Sequence, residues 1–245
     1  MGAAVEAGSV RPALTPMARL RYDRIHALMP PLARTVLEIG CGEGAVGYRL
    51  ARSYQYVGLE PDAQSCAVAQ QRIGERGEVR CGDTTVVAGE QFDVVCAFEV
   101  LEHLDRDRQA LKGWLDHVRS GGHLLVSVPA HASRFGASDE FVGHYRRYHP
   151  DGLRSLLEDI GLTDVRISLY GAPLGYLLES VRNRLLARRM TEASQADRTA
   201  ASGRLLQPRN ALVGAATALA VAPFAVAQRA FPSHGVGIVA RGRLL

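Results

Sequence analysis

Between Val36 and Gly47 the chain reads V-L-E-I-G-C-G-E-G-A-V-G, a short apolar run that ends in a carboxylate and is followed by alternate glycines. This order predicts a buried strand, a tight turn and then a helix. Gly40, Gly42 and Gly44 permit backbone torsions and a close ligand approach that a Cβ would forbid, and the start of the following helix offers unpaired N–H groups. The unit is suited to holding a nucleoside cofactor. Because Gly42-x-Gly44-x-x-Gly47 also satisfies the dinucleotide fingerprint, the loop by itself leaves NAD in play.

Glu38 separates the two cofactors on electrostatic grounds. A carboxylate at the strand end repels a pyrophosphate but attracts the ammonium and sulfonium of S-adenosyl-L-methionine (SAM). The segment E-I-G-C-G-E-G resembles the first motif of the class I SAM-dependent methyltransferases, with Glu38 at its acidic position and Gly40, Cys41, Gly42 and Gly44 in its loop. The resemblance runs from about Val36 to Leu169. It implies a Rossmann-like α/β sheet of seven strands, mostly parallel with the last antiparallel, and SAM as the cofactor.

Later motifs follow in the order such a sheet needs. Tyr56-Val57-Gly58-Leu59 reads as a second strand ending in Glu60, at the ~20-residue βα spacing that brings a carboxylate onto a ribose diol. Pro61-Asp62 then opens a helix. A third strand, Glu78 to Cys81, ends at Gly82-Asp83-Thr84, where the resemblance places an acid that accepts a hydrogen bond from the adenine amino group, here Asp83. Gly-Asp is also ordinary turn chemistry. The nearly continuous apolar run Phe92 to Phe98 fits a parallel strand buried on both faces. Phe98 and Glu99 after it, with Pro61, Thr84 and His103, complete the expected cofactor wall; a structural hydrogen-bonding role is the competing reading of His103.

A helix is expected over Met17 to Met29, ended by Pro30-Pro31, and another around Leu111, Trp114, Leu115 and Val118, stopped by Gly121-Gly122 before a strand from His123 to Val128. Leu153, Leu156, Leu157 and Ile160 mark a further helix, and Val165-x-Ile167-x-Leu169 a sixth strand. Val236 to Ala240 supplies the seventh. Gly171 to Gly235 lies between these last two, far more than the ~2–5 residues of a hairpin loop. The chain is therefore expected to be one domain, 17–245, with a disordered tail at 1–16 and a helical insertion at 171–235.

Within the insertion, Leu174, Leu177, Leu178, Val181 and Leu185 form an apolar stripe expected to face the core or an apolar ligand, with Arg182, Arg184, Arg188 and Arg189 around it. A linker is expected from Thr191 to Arg204. The uncharged run Ala211 to Ala227 falls short of the ~20 residues of a transmembrane helix. Lid, peripheral membrane anchor and homodimer surface remain open for the insertion.

Substrate chemistry is expected on the loop after strand five. A hydroxyl acceptor benefits from a base near neutrality, which points to His144 and then His131, with structural roles for both as the alternative. Arg146-Arg147 reads equally as an acid-paired turn or an acceptor contact. No acidic cluster shows metal-ligand spacing, so no metal is expected. A net charge of +4, with scattered arginines and Lys112 the lone lysine, argues against nucleic acid and for a bacterial source. Cys41, Cys66, Cys81 and Cys96 lack metal spacing and suggest reduced thiols in a cytoplasmic protein, Cys81 and Cys96 on interior strands; no secretory signal opens the chain. The expected activity is methyl transfer from SAM to oxygen or nitrogen, less so carbon, of a small lipophilic acceptor. The alternatives are a SAM-fold protein that binds the cofactor structurally or cyclises its substrate, and an NAD-dependent dehydrogenase.

Overall fold

A computed structural model describes residues 12–190 and 211–245. Seven strands, β1 (Thr35–Ile39), β2 (Gln55–Glu60), β3 (Glu78–Cys81), β4 (Phe92–Phe98), β5 (Val118–Pro129), β6 (Thr163–Gly171) and β7 (Gly235–Arg243), form one sheet in the order β3-β2-β1-β4-β5-β7-β6. β7 runs antiparallel to both β5 and β6, whereas β3, β2, β1, β4 and β5 pair in parallel. This is the expected class I methyltransferase sheet.

All seven residues of β4 are buried, because helices cover both faces of the sheet. Its side chains alternate between two apolar layers: Val95 and Ala97 join Leu37, Leu124, Leu153 and Leu157, while Val94 and Cys96 join Val36, Leu125, Leu20 and Ile25. The helices are α1 (Pro16–Leu28), α2 (Gly47–Leu50), α3 (Ala63–Ile73), α4 (Asp107–Leu115), α5 (Ala137–Val142), α6 (Pro150–Asp159), α7 (Leu174–Met190) and α8 (Ala211–Ala227). Thr15 caps α1, its side chain accepting from the Ala18 N–H at 3.2 Å, and Pro16 sits in the first turn where its missing N–H costs nothing. Asp62 caps α3 in the same way, accepting from Ser65 at 2.8 Å.

Several expectations are revised. The tail expected at 1–16 falls mostly outside the described residues, but the chain is already packed from Pro12, with Leu14 buried and the Pro12 carbonyl accepting from Arg49 at 2.8 Å. Gly121-Gly122 do not stop a helix. α4 ends at Leu115, and the glycines lie within β5, where Gly121 at φ 76° accompanies a register shift against β4. Cys81 is exposed rather than interior, and it is joined to Cys66 of α3 by a disulfide. The two cysteines meet because α3 packs on β3. Cys41 and Cys96 are buried free thiols.

The insertion is helical as expected, although the linker at 191–204 lies outside the described residues. Only part of its apolar stripe faces the core as expected: Leu174 packs against the core and Leu178 is half-buried, but Leu177, Val181 and Leu185 are 62%, 45% and 55% exposed. The reason is polar anchoring of the other side of α7. Glu179 pairs with Arg134 and Arg147, the Asn183 side chain accepts from the Ser138 N–H at 3.0 Å, and Arg182 donates to the Ser138 hydroxyl at 3.0 Å. α8 is held against α1, with Val221 buried and Gln228 just beyond it accepting from the Gly171 N–H at 3.0 Å while donating to the Leu20 carbonyl at 2.9 Å. Val213–Ala230 has a mean hydropathy of 1.3 and is only 11% buried, so by length and composition it meets the requirement for a span that the sequence count denied it.

Candidate active site

The carboxyl ends of β1, β2, β3 and β4 lie side by side, and every expected cofactor residue sits on them or on the loop that follows. After β1 the backbone turns through Gly40, Gly42 and Gly44 at φ 71°, 54° and 76°, a left-handed path that glycine takes without penalty. A Cβ at Gly40 would meet Val100 at 2.6 Å, and one at Gly44 would press on Ala69 at 3.1 Å. A Cβ at Gly42 would meet nothing within 4 Å, so this glycine opens the loop rather than filling it. Cys41 beside it is buried, and burial pushes its thiol up, out of reach of ionisation at neutral pH.

Glu60 fixes that loop from the end of β2. One of its oxygens accepts from the Gly42 N–H at 2.8 Å and the other from the Asp62 N–H at 3.0 Å. Glu60 is thus a carboxylate held between two backbone donors beside the open face of Gly42. Pro61 stands exposed beside it. Asp83, exposed at the end of β3, accepts from both the N–H and the hydroxyl of Thr85, at 2.9 and 2.6 Å, and these bonds hold its carboxyl below the usual range. Thr84 follows, half-buried.

Glu38 is placed otherwise than its assigned role suggested. Its side chain is buried beneath α2, accepts the Tyr56 hydroxyl proton at 2.6 Å, and lies 3.1 Å from where a Cβ on Gly47 would stand. Burial raises its pKa from 4.5 to about 7, against the opposing pull of Tyr56 and Arg21. Any attraction to a cationic ligand therefore acts through the loop, not by contact.

Past β4, Phe98 is buried and Glu99 takes φ 57°, an uncommon torsion for a residue with a side chain. Glu99 is held there by its own N–H to the Ser127 carbonyl at 2.9 Å, and its carboxylate accepts from Ser127 and Tyr170 at 3.0 and 3.1 Å with Arg21 at 3.4 Å. Strain over-determined in this way at a sheet's ligand end is a mark of function.

The two expected bases are separated. His131, at φ 63°, is tied through Nε2 to the Gly235 carbonyl at 3.1 Å on the far edge of the mouth. His144 packs edge-on against His103, ring centres 4.6 Å apart, and its Nδ1 meets Asp139 at 2.8 Å. Burial would raise the Asp139 carboxyl, yet hydrogen bonds from His144 and Arg147 outweigh it and hold the pKa at about 2. Asp139 remains ionised, so it fixes the proton on Nδ1 and leaves Nε2 of His144 as the open nitrogen. Arg147 forks onto both Asp139 oxygens at 2.8 and 2.7 Å, which settles it as acid-paired and buried; Arg146 pairs with Asp107 at 2.9 Å. The network Arg134–Glu179–Arg147–Asp139–His144 thus connects the insertion to the site. Glu102, which sequence reasoning did not single out, completes the group: it is wholly buried, with Oε1 3.8 Å from His144 Nε2.

Residues 37–124 match the family described as "Methyltransferase domain". The chain is 36% identical over 108 residues to a ubiquinone biosynthesis O-methyltransferase of Azorhizobium caulinodans, covering 42% of this chain and 43% of that protein. It is 32% identical over 152 residues to a probable S-adenosylmethionine-dependent methyltransferase of Mycobacterium tuberculosis, 59% of this chain and 55% of that protein. The chain thus spans about half the length of these curated relatives. Among solved structures, a SAM-dependent methyltransferase of Thermotoga maritima described as a possible histamine N-methyltransferase superposes over 94% of this chain and 90% of its own, with TM-score 0.56 and 17% identity. The open glycine loop, the anchored Glu60 and the strained Glu99 fit a bound adenosyl cofactor, the sheet is that of SAM-dependent methyltransferases, and residues 37–124 match a methyltransferase domain.

Proposed function

We propose that the protein moves a methyl group from SAM to an oxygen or nitrogen atom of a small, lipophilic acceptor. The observation that carries the proposal is the acidic Glu60 clamp on the open Gly42 loop, which suits a ribose diol, and the SAM-dependent methyltransferase relatives favour SAM over a dinucleotide there. Gly40, Cys41, Gly42, Gly44, Glu60, Pro61, Asp83, Thr84, Phe98, Glu99 and His103 would form the cofactor side, with Glu38 supporting the loop from beneath. The cofactor supplies a methyl carbon made electrophilic by its sulfonium. The protein's task is then to align that carbon with the acceptor and to exclude water, since positioning provides much of the acceleration in such a displacement.

Lipophilicity is argued from the insertion. β6 ends, and β7 begins, on the same side as the carboxyl ends of β1 to β5, so α7 and α8 arise beside the mouth. Both present apolar side chains to solvent, Leu177, Val181 and Leu185 on one and Val213, Leu219 and Val226 on the other. Exposed apolar surface of this kind marks a contact with lipid or protein. We read it as a peripheral contact with a membrane surface, through which an acceptor with a hydrophobic tail reaches the site. The ubiquinone-pathway name of the Azorhizobium relative is in keeping with such an acceptor. His144 is the residue through which an acceptor hydroxyl would be activated, with His131 flanking it.

The test uses SAM carrying a labelled methyl group, incubated with the protein and separately with polar and lipid extracts of a bacterium. Label passing into a lipid-soluble product supports the proposal; label only in polar products refutes the lipophilic acceptor, and no label in either refutes methyl transfer. Pelleting with anionic liposomes, alongside light scattering, separates membrane contact from a homodimer.

A further inference from the structure

Two imidazoles and a carboxylate converge at the start of the segment after β4. Glu102, His103 and His144 each direct one ligand-type atom into a common space, and these atoms lie within 4.8 Å of one another. Glu102 is 0% exposed, and neither of its carboxylate oxygens has a hydrogen-bond partner among the described residues. A buried carboxyl group without a partner is strongly disfavoured unless a proton or a cation compensates it. Arg21, whose field reaches Glu102, lies against Glu99 instead.

The histidines are arranged as metal-binding histidines usually are. His144 gives Nδ1 to Asp139 at 2.8 Å, which leaves Nε2 pointing toward Glu102, the carboxylate–histidine pairing that orients ring ligands. His103 packs edge-on against His144, ring centres 4.6 Å apart, and offers a ring nitrogen to the cluster. Ligand atoms around a four-coordinate ion at ~2.0–2.2 Å stand ~3.2–3.6 Å apart. The 3.8 Å between Glu102 Oε1 and His144 Nε2 needs only a small contraction. His103 is exposed and gives an entry path, while Asp139 and Arg147 brace the site from behind.

We propose that Glu102, His103 and His144 bind a divalent first-row transition cation, which holds and acidifies the hydroxyl oxygen of the methyl acceptor. Two nitrogens and one oxygen suit Zn²⁺ and its neighbours better than Mg²⁺ or Ca²⁺, and three protein ligands leave a position for a further oxygen. The acceptor half of the proposal rests on the methyltransferase reading above. It narrows the acceptor to an oxygen nucleophile: coordination lowers the hydroxyl pKa, the proton leaves to solvent water, and the oxygen then attacks the methyl carbon. The C–O bond forms as the C–S bond breaks, and its electron pair stays on sulfur. His144 acts in this scheme as a ligand rather than as the base itself.

The full chain, freed of metal by a chelator and dialysed, is titrated with Co²⁺ by visible absorption and with Zn²⁺ in competition. Binding of one ion per chain, weakened at least tenfold in His103→Ala and in Glu102→Gln but unchanged in His149→Ala, is expected. His103 is exposed and its loss leaves the core intact, so this variant stays informative if Glu102→Gln misfolds. No stoichiometric Co²⁺ binding, or equal binding by His103→Ala and His149→Ala, overturns the site. In parallel, SAM binding is measured by calorimetry with and without chelator. SAM binding that survives chelation while turnover is lost and then restored by Zn²⁺ supports the acceptor role; full turnover under chelation overturns it. If SAM does not bind at all, the methyltransferase reading fails, and the Co²⁺ titration still decides the cation site.

Discussion

Glu38 sits in the floor of the glycine loop with its pKa raised to about 7, so the native protein binds a proton there that the unfolded chain has already released. Between pH 4.5 and 7 the native state therefore holds more protons than the unfolded state, and stability falls as pH rises. The contribution is present in full below the unfolded pKa and is lost above the folded one. Carrying a carboxyl from 4.5 to about 7 corresponds to about 3 kcal/mol at pH 8. Glu38→Gln removes the titration but keeps an oxygen that can accept from the Tyr56 hydroxyl. Urea unfolding of both proteins from pH 4.5 to 8 isolates the effect, since every other group is common to the pair. The variant should gain about 3 kcal/mol relative to wild type across this range. A difference that stays flat with pH would refute the claim that burial outweighs the opposing pull of Tyr56 and Arg21 on Glu38.

Other outcomes follow from particular contacts. Gly42→Ala forces a side chain onto φ 54° at a cost of about 1–2 kcal/mol, seen as a lowered Tm, and weakens SAM binding further because the new Cβ enters the open face of the loop. Arg147→Met leaves Asp139 and Glu179 buried without their shared partner and should destabilise by about 3–5 kcal/mol in denaturant titration. Cys66→Ser opens a disulfide whose cysteines are 15 residues apart and should cost about 3 kcal/mol more under oxidising than under reducing conditions, measured against wild type in each. Replacing Leu177 and Leu219, 62% and 78% exposed, by Asp should leave Tm within about 0.5 kcal/mol in stability terms yet abolish liposome pelleting.

What the sequence made legible is what depends on neighbours along the chain. The β1 turn, its glycines and the acid ending β2 are local units whose spacing carries their chemistry, and they appear in the fold where expected. The seventh strand was legible because a short apolar segment at the end of the chain has one natural place in such a sheet. The orientation of α7 was not, since helical periodicity shows that Leu177, Val181 and Leu185 share a face but not which face Glu179 and Asn183 pin to the body. Gly121-Gly122 mimicked a helix stop because a bulge and a cap both use left-handed glycine. The Cys66–Cys81 bond and the approach of His144 to Glu102-His103 are tertiary: they join separate elements, and spacing along the chain carries no trace of the approach. The only local signal was a histidine beside an acid at Glu102-His103, a pair that is ordinary on any helix start.

On this reading, the glycine loop and Glu60 hold SAM. Calorimetric titration of the wild-type protein and of Glu60→Ala, each with SAM and with NAD, tests it most directly. Wild type should bind SAM in preference to NAD, and Glu60→Ala should lose about 1–3 kcal/mol of SAM affinity. Preferential binding of NAD, or undiminished SAM affinity in the variant, would contradict it.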